Sequence, residues 1–311
     1  MEYKRLGSTN LEISRIGFGC WAIGGHGYGS IDDRESIKAI QKALDMGVNF
    51  FDTADVYGFG HSEEILSKAL GSHRDKVIIA TKFGVNWDEN GKTYKDCSSK
   101  RIVEALDNSL RRLKIDCIPL YQIHWHDGKT PIEDVMGTLL KCRNAGKILH
   151  VGCCNISKSL IIKTSKIFRV ESYQCLYNLN KRQHENIIKY SSEELNMSVF
   201  AFGVIGRGVF SAKYNKNSQF GENDTRMNDS DFQGVQYDKN ILIAEKLSEI
   251  GEKYGKSPVQ VAIRWVLENS NVTCAIAGSK TLEQISENVG SVGWSLGQGD
   301  MEVIDSMISK K

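Results

Sequence analysis

The sequence predicts a closed (β/α)8 barrel with an N-terminal β-hairpin and a C-terminal helix, and three observations carry that prediction. Apolar strand-like runs alternate with segments of helical period almost to the end of the chain. Seven of the eight runs are hydrophobic on both faces, as suits parallel strands covered by helices. Composition shows no break over about 300 residues, the length one such barrel takes, so residues 1–311 read as a single domain.

Taken in order, YKRLGSTNLEI (3–13) reads as a short hairpin that plugs the bottom of the barrel, and IGFGC (16–20) as the first barrel strand. RESIKAIQKALDMG is an amphipathic helix stopped by Gly47, the residue type that ends helices in a left-handed turn. VNFFD (48–52) is the second strand, and SEEILSKALG the helix that Gly71 closes. VIIATK (77–82) precedes the helix SKRIVEALDNSLRRL, and PLYQIH (119–124) precedes IEDVMGTLLKCRNAG, closed by Gly146. ILHVGCC (148–154), SYQC (172–175) and SVFAF (198–202) follow as strands five to seven.

Residues 213–238 are polar and nearly patternless, too long for an ordinary connection, and read as a lid or binding loop. Ser257 and Pro258 read as an N-cap followed by proline in the first helical position. CAIAG (274–278) is the eighth strand, TLEQISENVG its helix, and DMEVIDSMISK a last helix expected outside the barrel or over its mouth.

Bulk properties narrow the function. Forty basic against thirty-eight acidic side chains leave a formal charge of +2, so no global field recruits nucleic acid or an anionic membrane. The opening MEYKRLGSTNLEIS has no apolar core and no long apolar stretch follows, so a cytoplasmic protein without export signal or membrane span is expected. The eight cysteines lack metal or redox spacing, and read as reduced thiols packed in the core, with the vicinal Cys153 and Cys154 a minor exception.

In a barrel of this kind chemistry gathers where the strands end at their C-terminal side. Asp52 and Tyr57 follow the second strand, Lys82 ends the third and His124 ends the fourth, so one rim receives an acid, a phenol, an amine and an imidazole. Their joint chemistry is that of a tuned proton donor. A phenol titrates near 10, and an adjacent ammonium favours its anion. Lys82 is placed to be that ammonium, Asp52 to keep it charged, and His124 to bond a substrate oxygen.

These residues, within RLGSTNLEISRIGFGCWAIGG, DTADVYG, ATKFG, YQIHW and IAGSKTLEQISENVG, resemble the aldo-keto reductase superfamily over essentially the whole chain. The overall pattern is closest to bacterial-type members and to inositol and sugar dehydrogenases. The resemblance implies a catalytic tetrad of Asp52, Tyr57, Lys82 and His124, with Tyr57 as general acid or base. It implies hydride exchange between NADPH and a small carbonyl compound or sugar, with NADH possible, and no metal. It also implies either a monomer or a homo-oligomer.

The same resemblance implies the cofactor residues. Asn155 and Gln174 look like the pair that holds the nicotinamide carboxamide, with Cys154 standing where relatives have serine, and Phe202 is in the ring-stacking position. In FGVIGRGVFSAK, the residues Gly203, Ile205, Gly206, Arg207 and Gly208 resemble the glycine-rich loop, without its proline and serine. There Arg207 or Lys213 pairs with pyrophosphate, or Arg207 is a solvated loop residue. Gly278, Ser279, Lys280, Gln284, Glu287 and Asn288 match the adenosine end, where many relatives have arginine in place of Gln284.

Trp21, implied at the cofactor as well, is expected to line the substrate mouth with Tyr57, Trp87, His124 and Trp125, or these tryptophans serve as barrel-top packing. The loop GGHGYGS (24–30) and the segment 213–238 are expected to cover the mouth. Cys20 and Cys154 are expected near the cofactor or as plain buried thiols. Three other motifs fail for lack of context. GFGCWA is no dinucleotide fingerprint without a downstream acid on a strand; YNLNK follows a strand where its catalytic namesake needs a helix; and HWH lacks further ligands on neighbouring strands. The alternative the resemblance leaves for this chain is a nicotinamide-binding partner or redox-sensing subunit, similar to the β-subunits of voltage-gated potassium channels that the superfamily includes, which also have glutamine at the position of Gln284.

Overall fold

The computed structural model describes residues 1–25, 31–221 and 224–309. The chain opens with β1 (Tyr3–Arg5) and β2 (Glu12–Ser14), an antiparallel hairpin. Leu6 and Ile13 of this hairpin are buried with Phe50, Ile78, Leu120, Phe200 and Cys274, so it closes the barrel floor as expected.

β3 (Ile16–Gly19) leads to α1 (Asp33–Asp45), whose buried Ser36, Ala39, Ile40 and Ala43 recur at helical spacing and whose first turn is capped by the Asp32 side chain. Next come β4 (Phe50–Asp52), α2 (His61–Leu70) and β5 (Ile78–Phe83). The chain then makes a small antiparallel arm, β6 (Val85–Trp87) with β7 (Thr93–Lys95), before α3 (Ser99–Leu113). β8 (Ile118–Ile123), α4 (Ile132–Asn144), β9 (Ile148–Cys154), α5 (Lys158–Ile167), β10 (Ser172–Leu176), α6 (Glu185–Glu193) and β11 (Ser198–Phe202) continue the alternation.

α7 (Gly234–Tyr254) begins inside the segment expected to be an irregular lid, so the loop after β11 is shorter than its polarity suggests. Tyr214, Phe220, Phe232 and Tyr237 pack ring against ring there and give the loop a small core of its own. α8 (Pro258–Glu268) starts at the expected Ser257 cap, reinforced by Gln260 in a reciprocal capping box. β12 (Cys274–Gly278), α9 (Leu282–Val289) and α10 (Gln298–Ser309) complete the chain. α10 packs against α7 on the outside.

The eight strands β3, β4, β5, β8, β9, β10, β11 and β12 close into one parallel barrel, with β12 pairing back onto β3. All eight predicted barrel strands are present. The register sets Asp52 beside Gly19 and Ala80, Lys82 beside Gln122, and Gln174 beside Cys154, which brings the polar strand ends to one rim. The eight cysteines are free thiols, and all but Cys117 are buried. Among the described residues no helix is long and apolar enough to cross a membrane.

Candidate active site

Asp52 ends β4, 4% exposed, and Lys82 stands one residue before the end of β5, 1% exposed. The Lys82 ammonium donates to Asp52 Oδ2 at 2.7 Å and to the Thr53 carbonyl at 2.7 Å. Burying either charge alone would cost several kcal/mol, so each is tolerated because the other is there. Three residues after Asp52, Asp55 is tied by Arg101 of α3 at 2.6 Å, a second buried pair behind the first that anchors the loop leading to Tyr57.

Tyr57 opens a short turn, and its hydroxyl lies 3.5 Å from Lys82 Nζ, which also stands 5.0 Å from the ring centroid. The turn can sit there because Gly58 has φ +60° and touches Gly24: a Cβ on Gly58 would lie 2.2 Å from the Gly24 carbonyl oxygen. His124 follows β8, its N–H donating to the Phe83 carbonyl at 2.8 Å. Its ring meets Tyr57 edge-on at 5.7 Å, and its buried Nδ1 has no hydrogen-bond partner among the described residues. The four residues expected at one rim are therefore in contact.

Their electrostatics differ from the expectation in one respect. Burial pushes the Tyr57 phenol above its ordinary value, and the opposing pull of Lys82 does not overcome it, so the hydroxyl keeps its proton at neutral pH. Burial disfavours the Lys82 ammonium, but Asp52 and then Tyr57 outweigh that and hold its pKa above the ordinary lysine value. His124 is held well below the usual histidine range by burial and by Lys82. Histidine in an unfolded chain takes up a proton near pH 6.5. Unfolding therefore binds a proton below that pH, and this site's contribution to stability declines as pH falls through about 6.5. The Cε1 proton resonance of His124 is expected to stay constant in NMR spectra from about pH 5 to 8; a midpoint near 6.5 would contradict a neutral imidazole.

These side chains open into a cleft of about 800 Å³ that runs across the barrel mouth, within the range of small-molecule and cofactor sites. Cys154, Asn155 and Gln174 line it beside the four residues above. Cys154 Sγ donates to Gln174 Oε1 at 3.0 Å, and Asn155 Nδ2 donates to the His124 carbonyl at 3.2 Å. Phe202, Gly203, Ile205, Gly206, Arg207 and Gly208 form the next wall, with Gly206 at φ +54° and Gly208 at φ +93°. Arg207 is tied to Asp229 at 3.2 Å and lies 5.5 Å over the Trp21 ring, so it is no free solvated loop residue.

Gly278, Lys280, Gln284, Glu287 and Asn288 line the far end, where Lys213 comes within 4.0 Å of Glu287. The Gln284 side chain accepts from the Lys280 N–H at 2.7 Å. Among the described residues the cleft walls carry six cationic side chains, Lys82, Lys181, Arg207, Lys213, Arg226 and Lys280, against four acidic ones, Asp52, Asp229, Asp231 and Glu287. That excess suits an elongated anionic ligand.

Two expected site residues stand elsewhere. Trp87 does not line the cleft: on the short arm its ring packs against Phe59 at 5.4 Å and under Arg101 at 5.2 Å. The Ser279 side chain is buried and accepts from Asn288 Nδ2 at 2.9 Å, outside the cleft lining. Cys20 likewise does not reach the cleft, unlike Cys154. Trp21 and Trp125, each 39% exposed, flank the mouth as expected.

Lys181, Tyr214, Arg226, Asp229 and Asp231 line the cleft without having been singled out, four of them from the loop after β11. The loop 24–30, expected over the mouth, lies outside the described residues beyond Gly25. Among the described residues no group of three or more His, Cys, Asp and Glu is arranged to hold a metal, and His126 of the HWH motif bonds its own loop at Thr130 and Gly128.

Residues 15–309 match the model of the Aldo/keto reductase family. The chain is 34% identical to the aldo-keto reductase YhdN of Bacillus subtilis over 99% of its own length and 94% of that protein. It is 31% identical to the aldo-keto reductase yakc [NADP(+)] of Schizosaccharomyces pombe over 95% of its length and 88% of that protein. Among solved structures, the glycerol dehydrogenase AKR11B4 from Gluconobacter oxydans superposes with a TM-score of 0.91 at 36% identity, covering 98% of this chain and 94% of that one.

Proposed function

The chain belongs to the aldo/keto reductase family, and from that premise we propose that it is an NADP(H)-dependent oxidoreductase that reduces a small aldehyde, ketone or sugar to the alcohol, or runs the reverse. The observation that carries this reading is the contact chain Asp52, Lys82, Tyr57 opening into a cationic cleft. When bound, the reduced nicotinamide supplies a hydride to the carbonyl carbon. Tyr57 donates its proton to the carbonyl oxygen, and the Lys82 ammonium stabilises the phenolate as it forms. Asp52 keeps that ammonium charged in the interior. Neutral His124 holds the substrate oxygen against Tyr57, and Trp21 and Trp125 wall the substrate side.

The cleft residues fit the cofactor in sequence along the mouth. Asn155 and Gln174 hold the carboxamide, and Phe202 offers its ring face. Gly206 and Gly208 let backbone N–H groups approach the pyrophosphate, with Arg207 and Lys213 beside it. Lys280, Gln284, Glu287 and Asn288 take the adenosine half. NADP(H) is supported by two cations lining this end, Lys280 and Arg226, the latter held by Asp224, and by the cofactor printed in the fission yeast relative's name. The polyol substrate in the name of the Gluconobacter oxydans neighbour supports a sugar or polyol carbonyl here.

Titration of the purified protein with NADPH and with NADH, followed by tryptophan fluorescence, tests the cofactor half. Quenching by NADPH at at least tenfold lower concentration than by NADH is expected. Equal affinity would remove the 2′-phosphate preference, and no binding of either nucleotide would remove the proposal.

A further inference from the structure

Gln122 is a strongly polar side chain in the middle of an apolar strand run, fully buried on β8 two residues before His124. Its Nε2 donates to Asp52 Oδ1 at 3.4 Å and to Gln174 Oε1 at 3.3 Å, and its Oε1 accepts from Ser172 Oγ at 3.4 Å. The barrel makes room for this amide. A Cβ on Gly152 of the intervening strand would lie 2.2 Å from Ser172 Oγ and 3.0 Å from Gln122 Cγ. A buried amide with every polar atom engaged is held in one orientation.

The chemistry of the partners sets that orientation in turn. Asp52, paired to the Lys82 ammonium, is an acceptor only, so the end of Gln122 that faces it must be the NH2. The second hydrogen of that NH2 faces Gln174, so the atom Gln174 presents to it must be its carbonyl oxygen. Cys154 donates to the same oxygen at 3.0 Å. The Gln174 NH2 is thereby left for the cleft, which Gln174 lines.

We propose that Gln122 is a positioning residue that transmits the polarity of the Asp52–Lys82 pair to Gln174, fixing that amide with its NH2 toward the cleft as a donor for the carbonyl oxygen of a nicotinamide carboxamide. The proposal rests on the cofactor reading above. It separates Gln122 from a core amide that merely fills space, because its effect falls on one half of the ligand.

The test is Gln122→Met, which keeps length and removes the donor, measured by fluorescence titration with NADPH and with 2′,5′-ADP, the adenosine half alone. The Kd for NADPH is expected to rise about tenfold, with that for 2′,5′-ADP unchanged within twofold; equal losses for both ligands, or none for either, would overturn the proposal. In a Gln174→Ala background the same change is expected to add nothing, and an additive loss would equally overturn it. If Gln122→Met does not fold, Ser172→Ala loosens the same amide more gently. About a threefold rise for NADPH alone is then expected, and unchanged NADPH binding is the contrary result. Wild-type protein that bound no nicotinamide nucleotide would remove the cofactor reading and this proposal together, whereas wild-type binding with an unaffected variant would remove the proposal alone.

Discussion

Tyr57→Phe is expected to bind NADPH as the wild type does and to lose at least about a hundredfold in kcat, roughly 2.7 kcal/mol of transition-state stabilisation. The ring is kept, so its edge contact with His124 and its packing on Trp21 survive. Only the hydroxyl 3.5 Å from Lys82 Nζ is lost, and with it the proposed proton donor. Because that phenol is protonated at neutral pH, it is in the right form to give a proton during reduction, and the neighbouring ammonium favours the anion it leaves behind. Steady-state rates on one carbonyl, together with fluorescence titration of cofactor, separate the two effects. Near-normal kcat would take Tyr57 out of its role, and a large loss of cofactor affinity would make the effect one of binding.

Lys82→Met is expected to remove activity and also to destabilise the protein by about 3–5 kcal/mol, the usual cost of stranding a buried charge. Among the described residues the Asp52 carboxylate would keep only the long bond from Gln122, and the Thr53 carbonyl would lose the Lys82 donor. Denaturant unfolding followed by circular dichroism measures the loss as a lower midpoint at unchanged slope. Adding Asp52→Asn to Lys82→Met is expected to recover part of it, since the stranded charge goes too. A single variant as stable as the wild type would mean that the pair is not buried as described.

The barrel was legible because parallel strands covered on both faces must be apolar throughout, so VIIATK, ILHVGCC and SVFAF stand out against amphipathic helices that end in glycine. Three of the rim residues were legible for the same reason: Asp52, Lys82 and His124 each end such a run, where a polar group needs a partner or a use, and Tyr57 follows on the loop just beyond Asp52. The short arm was not, because VNW and TYK are half-buried or exposed and too brief to show a period. Trp87 was misplaced with it, its ring drawn to Phe59 and Arg101.

Long-range contacts account for the rest. Nothing local says that Asn288 turns back to bury Ser279, and although 213–238 was readable as a segment over the mouth, nothing local says that Arg226, Asp229 and Asp231 are the side chains it turns to the cleft wall. The balance at Tyr57 depends on how deeply the neighbours bury it, which strand order alone does not tell. Gln122 did leave a signal, a lone amide inside PLYQIH. Its meaning needed the three strands around it.

The most direct test of the central claim is to add aldehydes, ketoses and inositols to the enzyme with NADPH carrying deuterium on the transferable face of C4, following nicotinamide absorbance and the mass of the product. Loss of absorbance matched by one deuterium on the new carbinol carbon is the predicted result on one carbonyl class. Cofactor that binds and stays reduced with every compound, or an alcohol formed without the label, would contradict direct hydride transfer and turn the weight to a nicotinamide-binding partner or sensor.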